Sequence, residues 1–462
     1  MQLYLCVVMT ETKLFGTNGV RGVINESLTV DIVLNLGRAI GTVLGPGKIA
    51  IARDSRMGGE MFVHAVCAGL LSAGCSIVDI GPAPTPTLQF FIPHSESAGG
   101  VMVTASHNPA QFNGVKAIGS DGVEVARSVE DQIESIYRFQ KFTLASWSSI
   151  GTVVQNMSAP RQHIDSIKTF VDADTIRKRK ITVVIDSANS VGGLVTPLLL
   201  RELGCRVISL NSQLDGHFPG RPPEPIAENL SELCNAVKSV GADLGIAHDG
   251  DADRARFVDE TGRVISGDQS FAVIAKRILA KHPGSTLVTP VSSGRLIEDV
   301  ANEVGAKIEW TKVGSVDVSH RLMEINGTLG GEENGGVFFP PHQPVRDGSM
   351  TSAQIVDIIA SEEKSLSELV EELPRYFSVK TKVPVPVEKK DQMNSALLSV
   401  TEGQDRITMD GVKILYDDGW ILLRPSGTEP LYRCFVESKS QERADQLSRQ
   451  GKKLIEEALK QI

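Results

Sequence analysis

Aromatic residues are scarce, 5% of 462 positions, which leaves little material for a stacking platform on single-stranded nucleic acid or for a lectin-like sugar face. Positive charge is also in deficit: lysine and arginine total 47 against 56 aspartate and glutamate, a formal net charge of −9. Nucleic acid and anionic membranes are therefore not expected as the main partner, and any anion site must be local. Long apolar runs are missing, and no stretch approaches the roughly 18 to 20 residues of a membrane helix. The apolar opening 3–9 lacks the basic flank and cleavage site of a secretion signal and reads as a ragged end, with Met9 as an alternative start. The six cysteines, Cys6, Cys67, Cys75, Cys205, Cys234 and Cys434, form no C-x-x-C pair. They read as reduced thiols of a cytoplasmic protein rather than as a disulfide framework or a zinc site. Low-complexity segments are absent, and the most linker-like stretches are 143–158 and 384–390.

What is present is a pattern that occurs three times. A strand at 48–52 precedes a helix at about 60–73, closed by Gly74, and a strand at 75–80. The second copy runs through 182–185, 194–203, Gly204 and 205–210, and the third through 286–288, 295–304, Gly305 and 306–310. Each glycine falls where a helix end needs positive φ, and β-favouring residues follow. Strand–helix–strand units of this length predict three related α/β domains with mixed, mostly parallel sheets. Each copy then adds a short strand, 100–103, 243–247 or 328–329, that runs into an unusual loop. Ligands bind beyond the carboxyl ends of such strands, so the three loops are expected to line one central cleft. From about residue 375 the character changes to extended runs at 379–387, 411–415 and 420–423. An amphipathic helix follows, with Leu447, Gly451, Leu454, Ile455 and Ala458 on one face. The length itself suggests three or four domains at ~150 residues each. The expected divisions are 1–157, 158–258 and 259–374 for the α/β units and 375–462 for a C-terminal α+β domain.

The strongest chemical signal is Asp249-Gly250-Asp251-Ala252-Asp253-Arg254. Three carboxylates at alternate positions repel one another unless a cation sits between them, and hard oxygen ligands with open positions suit Mg²⁺. A calcium EF-hand is excluded because Arg254 stands where its turn needs glycine, and the flanks read as strands. In Thr104-Ala105-Ser106-His107-Asn108-Pro109 a serine ends a strand without the G-x-S-x-G elbow of a hydrolase. Beside a Mg²⁺ site, Ser106 is a candidate phosphoryl carrier, and Lys116 a candidate for neutralising charge or moving a proton. Arg424 to Thr428, with Arg433 nearby, combines a guanidinium fork, hydroxyls and a glycine backbone, the equipment of a phosphate cradle. The loop 330–336 sets Glu332, Glu333 and Asn334 among glycines, suited to vicinal hydroxyls. Arg21 lies between glycines, another anion-compatible arrangement, and Arg53-Asp54-Ser55-Arg56 reads as an ion-paired supporting loop.

In this order, along essentially the whole chain from Lys13, these loops resemble the α-D-phosphohexomutase superfamily, and within it the archaeal-type phosphoglucosamine mutase branch. The resemblance implies Ser106 as the phosphorylated residue, with His107 beside it also catalytic, and Asp249, Asp251 and Asp253 as Mg²⁺ ligands together with Ser106 itself. Arg21 and Lys116 take phosphate-contact and proton-transfer roles. Arg254, Glu332, Glu333, Asn334, Arg424, Ser426, Gly427, Thr428 and Arg433 bind substrate. The implied reaction interconverts hexose 6-phosphate and hexose 1-phosphate through a 1,6-bisphosphate, which also serves as activator. The implied partner is a small sugar phosphate, with a homodimer among the assemblies left open. One departure stands out: the family's sugar loop often reads Gly-Glu-x-Ser-Gly-His, whereas Asn334 and Gly336 stand here at the serine and histidine positions. His342 is the candidate replacement for that histidine. Glu333 beside Glu332 would favour a cationic amino group, hence glucosamine 6-phosphate over glucose or mannose phosphates. Two rivals differ in kind. One is a Mg²⁺-dependent phosphatase with Asp249 as nucleophile, and the other a non-catalytic sugar-phosphate sensor.

Overall fold

The computed structural model describes residues 14–16, 18–426 and 431–462. The opening run 3–9, Cys6 and Met9 lie outside them, as do Gly427 and Thr428 of the phosphate-loop reading. The five described cysteines are free thiols. No helix among the described residues is long and apolar enough to cross a membrane.

Three α/β units share one strand plan. In each, a central strand (Lys48–Arg53, Thr182–Asp186 or Thr286–Pro290) pairs in parallel on both sides. On one side lies the strand after the crossover helix, Ser76–Pro82, Arg206–Leu210 or Lys307–Thr311. On the other lies the loop-bearing strand, Ser97–Val103, Leu244–His248 or Leu329–Gly331. That strand turns straight back as an antiparallel hairpin, into Phe112–Ile118, Ala255–Asp259 or Val337–Phe339. The sheets are thus mixed, and parallel and antiparallel pairings are more evenly balanced than the strand–helix–strand repeat alone suggests. The chemistry-bearing loops are the same hairpin in three copies, which is why they meet in one cleft. The glycines expected to close the crossover helices do so, Gly74, Gly204 and Gly305 having φ of 89°, 97° and 69°.

Two expectations about local structure change. The stretch 143–158 is not a free linker, since Val153–Gln155 adds a sixth, parallel strand to the edge of the first sheet. The helix expected from 194 opens as a 3₁₀ turn, Val191–Leu194, and becomes α-helical at Thr196–Glu202, where Pro197 is tolerated in the first turn.

The C-terminal unit is an antiparallel sheet in the order Phe377–Pro384, Leu431–Ser438, Gly419–Pro425, Val412–Tyr416, Arg406–Ile407. Helix Gln441–Leu459 buries Leu447, Gly451, Leu454, Ile455 and Ala458 against it. The stretch 384–390 connects a strand to helix Lys390–Val400 within this unit rather than joining two domains. Packing divides unevenly. One continuous apolar core runs from Ile164 through Phe257 and Phe271 to Leu373, fusing the second and third units, whereas the C-terminal unit keeps a core of its own. Polar groups carry much of its attachment to the rest. Glu437 accepts from the Arg295 amide (2.7 Å), Arg295 donates to the Asp417 carbonyl (2.6 Å), and Lys413 donates to the Ser293 carbonyl (3.2 Å).

Candidate active site

The serine loop is shaped by a buried cation. Arg56 is 2% exposed. Its Nε donates to Asp54 (3.1 Å), Nη1 to the carbonyls of Pro109 (2.7 Å) and Phe112 (3.0 Å), and Nη2 to those of Ser106 (2.5 Å) and Asn108 (2.6 Å). Thr104 Oγ1 donates to Asp54 and accepts the Ser106 amide at 2.9 Å. Burial pushes Asp54 up to about 6, even with Arg56 against it. The outcome is a Ser106 with φ of 50°, left-handed backbone that costs a non-glycine residue about 1–3 kcal/mol and persists only where its surroundings over-determine it. That turn aims Ser106 Oγ at the second unit, where it donates to Asp249 Oδ2 at 2.9 Å. His107 Nδ1 lies 3.4 Å from the same hydroxyl. Arg254, burial and Arg21 push His107 down to about 2, so its imidazole is neutral at physiological pH. Arg21 Nη1 donates to Asn108 (2.8 Å) and the Ala105 carbonyl (3.3 Å), while its buried Nε has no partner and is free to meet an anion.

Asp249, Asp251 and Asp253 are at most 1% exposed, and each offers an oxygen within 4.8 Å of the others. Ala252 in left-handed conformation (φ 55°) makes the turn between them. Asp251 Oδ2 accepts from Thr85 Oγ1 (2.7 Å) and Lys116 Nζ (2.8 Å), reaching across to the first unit. Burial would raise Asp251, but Lys116, Thr85 and Arg21 together hold it well below the usual carboxylate range. Burial pushes Asp253 up to about 7, opposed by Arg346 and reinforced by its two neighbouring carboxylates. Asp251 Oδ1 and Asp253 Oδ1 are buried without hydrogen-bond partners. Converging, dehydrated hard oxygens of this kind fit a divalent cation such as Mg²⁺. Arg254 does not point to open space: its Nε and Nη2 both donate to Asp249 Oδ2, at 2.9 and 2.7 Å. In this arrangement it braces the metal loop.

In the sugar loop, Glu332 is buried and Asn334 ties the turn by accepting the Gly336 amide at 2.9 Å. The unexpected member is Arg346. It donates to Glu332 (3.0 Å) and to Asp253 (2.5 Å), bridging sugar loop and metal loop. A side chain at Gly336 would begin 2.3 Å from Arg346 Cδ, so the space a histidine would take there is filled by the stem of Arg346. The sequence carried one usable signal, a hairpin of strands Val337–Phe339 and Gln343–Arg346 that returns Arg346 beside the loop.

His342 does not replace the histidine. It is turned into the junction of the three α/β units, stacked on Phe90 and His163, 3.2 Å from Ser166 Oγ and 3.4 Å from Asp347. His342 lies in the turn that feeds Gln343–Arg346 and packs against His163 and Asp347, while Arg346, at the far end of that strand, reaches Glu332 and Asp253. Glu333 is also differently engaged, in an ion pair with Lys380 of the C-terminal sheet. Buried Asp268, pushed up to about 7 by burial and by Glu333, lies in the same cluster.

On the C-terminal sheet Arg424 and Arg433 stand directly opposite on adjacent strands. Arg424 pairs with Asp410 at 3.0 Å and has a buried, unpartnered Nε; Arg433 donates to Ser426 Oγ at 3.4 Å. Two guanidinium groups beside a buried serine have the chemistry that a phosphate group needs.

Fold and site together define a four-domain sugar-phosphate mutase, an isomerase. Four phosphoglucomutase/phosphomannomutase profiles match in order, α/β/α domain I at 12–143, domain II at 161–262, domain III at 266–377 and the C-terminal domain at 380–451. The chain belongs to this family. It is 46% identical over 454 residues to a phosphoglucomutase/phosphomannomutase of Thermococcus kodakarensis, covering 97% of this chain and 99% of that one. It is 44% identical over 451 residues to a phosphoglucosamine/phosphogalactosamine mutase of Sulfurisphaera tokodaii, covering 96% and 99%. A family protein of Burkholderia thailandensis, 27% identical, superposes with a TM-score of 0.87 over 97% of this chain and 98% of that one.

Proposed function

We propose that the enzyme interconverts hexose 6-phosphate and hexose 1-phosphate through a phosphorylated Ser106, with glucosamine 6-phosphate as preferred substrate. The observation that carries this reading is Ser106 Oγ, held in strained backbone at 2.9 Å from a buried aspartate of a three-carboxylate cluster. Asp249, Asp251 and Asp253, with Ser106, would hold Mg²⁺, which supplies charge compensation at the phosphoserine oxygens. Phosphoryl transfer depends mostly on alignment and electrostatics. The substrate's free hydroxyl oxygen forms a bond to phosphorus as the Ser106 Oγ–phosphorus bond breaks, and Lys116, as the neutral amine left once the ammonium that pairs with Asp251 has given a proton to solvent, takes the hydroxyl proton. Arg21 stabilises the transferring oxygens through its free Nε, and neutral His107 lines the same position. Arg424, Ser426 and Arg433, with Gly427 and Thr428 beside them in sequence, grip the phosphate at the far end. The bound 1,6-bisphosphate then reverses end for end, and its other phosphate returns to Ser106. A hexose 1,6-bisphosphate supplied from solution phosphorylates any enzyme that has lost the group.

Glu332 and Asn334 face the sugar, with Arg346 fixing the carboxylate. Preference for the amino sugar is supported by the S. tokodaii relative and by the acidic pair Glu332 and Glu333. For Glu333 to contribute, Lys380 must release it. The T. kodakarensis relative favours a second reading, a broad glucose and mannose phosphate mutase. Domain divisions at 157, 258 and 374 and a cytoplasmic setting belong to the same proposal. A parallel turnover assay decides between the readings, with Mg²⁺, a trace of hexose 1,6-bisphosphate, and glucosamine 6-phosphate, glucose 1-phosphate or mannose 1-phosphate offered separately. Selective conversion of the amino sugar is expected; equal or faster rates on glucose and mannose would overturn the preference.

A further inference from the structure

Among the described residues, a second group of metal-ligating side chains lies away from the cleft. His163, His342 and Asp347 each offer a donor atom within 4.8 Å of the others, and all three side chains are at most 1% exposed. They come from distant parts of the chain. His163 stands on helix Ala159–Ile167, which opens the second unit, whereas His342 and Asp347 flank strand Gln343–Arg346 of the third. His163 Nε2 lies 2.8 Å and His342 Nε2 3.4 Å from the same oxygen, Asp347 Oδ2. The catalytic account uses none of the three.

The two rings are placed so that both can face one ion. They lie within 6° of parallel with centroids 5.4 Å apart, and Phe90 is stacked on each, at 5.4 and 5.2 Å. Three rings mutually this close do not form a column, whose outer members would be much farther apart, so the imidazoles lie side by side on one face of Phe90. Lone pairs in a common plane can converge on one point. The far nitrogens are oriented as those of metal-bound imidazoles are: His163 Nδ1 is 2.9 Å from Thr87 Oγ1, and His342 Nδ1 is 3.2 Å from Ser166 Oγ. A hydroxyl oxygen that accepts Nδ1–H leaves Nε2 with its lone pair. Two buried atoms here have no hydrogen-bond partner, His342 Nε2 and Gln343 Oε1. Gln343 belongs to the same cluster, since its amide nitrogen donates to Asp347 Oδ2 at 3.0 Å. A hydrogen-bonded relay alone would leave both atoms unsatisfied, which is rare for buried polar groups.

We propose that His163 Nε2, His342 Nε2 and Asp347 Oδ2 bind one Zn²⁺, with a fourth position open to Gln343 Oε1, as a structural site that fastens the three α/β units together. Two imidazoles select a borderline ion such as Zn²⁺ over Mg²⁺, which prefers oxygen ligands and keeps much of its water. A set of ligands closed by the protein, away from the cleft, is structural rather than catalytic. In the zinc-free protein a proton on His163 Nε2 makes the contact to Asp347; zinc takes that place, and the proton moves to Nδ1, where Thr87 Oγ1 accepts it. The position gives the ion its role. Thr87 belongs to the first unit, and Gln343 Nε2 also donates to the Pro86 carbonyl there at 3.2 Å. Asp347 caps helix Gly348–Glu362 by accepting the Met350 amide at 3.0 Å, and its neighbour Arg346 reaches the cleft. Zinc held here ties that helix and the Arg346 strand to the first two units without using any residue of the Mg²⁺ site.

The test uses the full chain, produced in medium supplemented with Zn²⁺ and dialysed against excess Mg²⁺ so that the aspartate cluster is saturated with its own ion. Plasma mass spectrometry is expected to count one zinc per chain, and competition with a chromophoric chelator gives its affinity. Ser166→Ala keeps every ligand and removes only the hydroxyl behind His342, and it is expected to weaken Zn²⁺ binding by about 10- to 100-fold. His342→Phe keeps an aromatic ring against Phe90 and Phe170 but removes a ligand, and it should weaken binding further still. Co²⁺ loaded in place of zinc should give the visible absorption of a four-coordinate site in the wild type and none in His342→Phe. With Mg²⁺ present throughout, the zinc-loaded wild type is expected to melt about 5–10 °C above protein stripped by a zinc-selective chelator, a gap that His342→Phe lacks. A wild type that carries no zinc, or zinc held as tightly by both variants as by the wild type, would overturn the proposal. Either result leaves the mutase reading untouched, because no cleft residue is a ligand.

Discussion

Replacing Arg346 by methionine keeps the apolar stem over Gly336 and removes only the guanidinium. In the metal-free protein this leaves buried Glu332 without its Arg346 partner and Asp253 with only the longer pairs to Arg254 (3.6 Å) and Lys116 (3.8 Å). Breaking a buried pair from one side costs about 3–5 kcal/mol. At about 2–4 °C per kcal/mol for a domain of 150–250 residues, the melting transition in EDTA is expected about 10 °C below that of the wild type. Metal binding should move the other way. Arg346 donates to Asp253, so it competes with a divalent cation for that carboxylate. Its removal is expected to tighten Mg²⁺ binding at least tenfold, about 1.4 kcal/mol. Saturating Mg²⁺ stabilises both proteins and narrows the melting gap by that difference in affinity, about 1.4 kcal/mol. Turnover should still suffer, because Glu332 loses a charged hydrogen bond worth about 1.5–3 kcal/mol, a fall of about 10- to 100-fold in kcat/KM. Calorimetric Mg²⁺ titration, melting with and without EDTA, and steady-state kinetics read the three effects separately. Weaker or unchanged Mg²⁺ affinity together with wild-type kcat/KM would refute the bridging role.

Ser106→Ala should abolish turnover by at least ~10³-fold while the fold is retained, checked by kinetics and circular dichroism. Gly336→Ala should lower stability by about 1–3 kcal/mol, because its Cβ would press on the Arg346 stem, and denaturant titration measures it. Asp268 titrates near 7 in the folded chain, above its ordinary value of 3.8. Its contribution is therefore fully present below about pH 4 and is lost as pH rises through 7. Asp268→Asn should accordingly gain on the wild type between pH 5 and pH 8, seen as a diverging pair of melting curves; parallel curves would contradict the assignment. Glu333→Gln should reduce kcat/KM for glucosamine 6-phosphate more than for glucose 6-phosphate. An equal loss on both would assign Glu333 to its pair with Lys380 alone.

The fold was largely legible because its signals are local. A glycine at each crossover helix end and a switch from period 3.6 to β-favouring residues mark every α/β copy. What sequence could not supply was pairing between distant segments. The stretch 143–158 looks like a linker because it is uncharged and short of helix formers, yet three of its residues find a sheet edge contributed by residues 76–82. The serine and metal loops were legible from residue type and spacing. Their orientation was not, since it depends on Arg56 collecting four carbonyls from residues 106–112, about 50 positions away. Arg346 escaped notice because nothing local distinguishes an arginine before a helix N-cap from a surface charge, and His342 attracted notice because imidazole suggests chemistry. Tertiary contacts decided between them: His342 stacks on Phe90 and His163, and Arg346 pairs with Asp253 and Glu332.

The central claim is that Ser106, rather than Asp249, carries the phosphoryl group. It is tested by incubating the enzyme with Mg²⁺ and hexose 1,6-bisphosphate and mapping the modified residue by peptide mass spectrometry. One phosphoryl group on Ser106, stable to acid and hydroxylamine and discharged by added hexose 6-phosphate, is the result expected. A hydroxylamine-labile phosphate on Asp249, with release of inorganic phosphate, would contradict it.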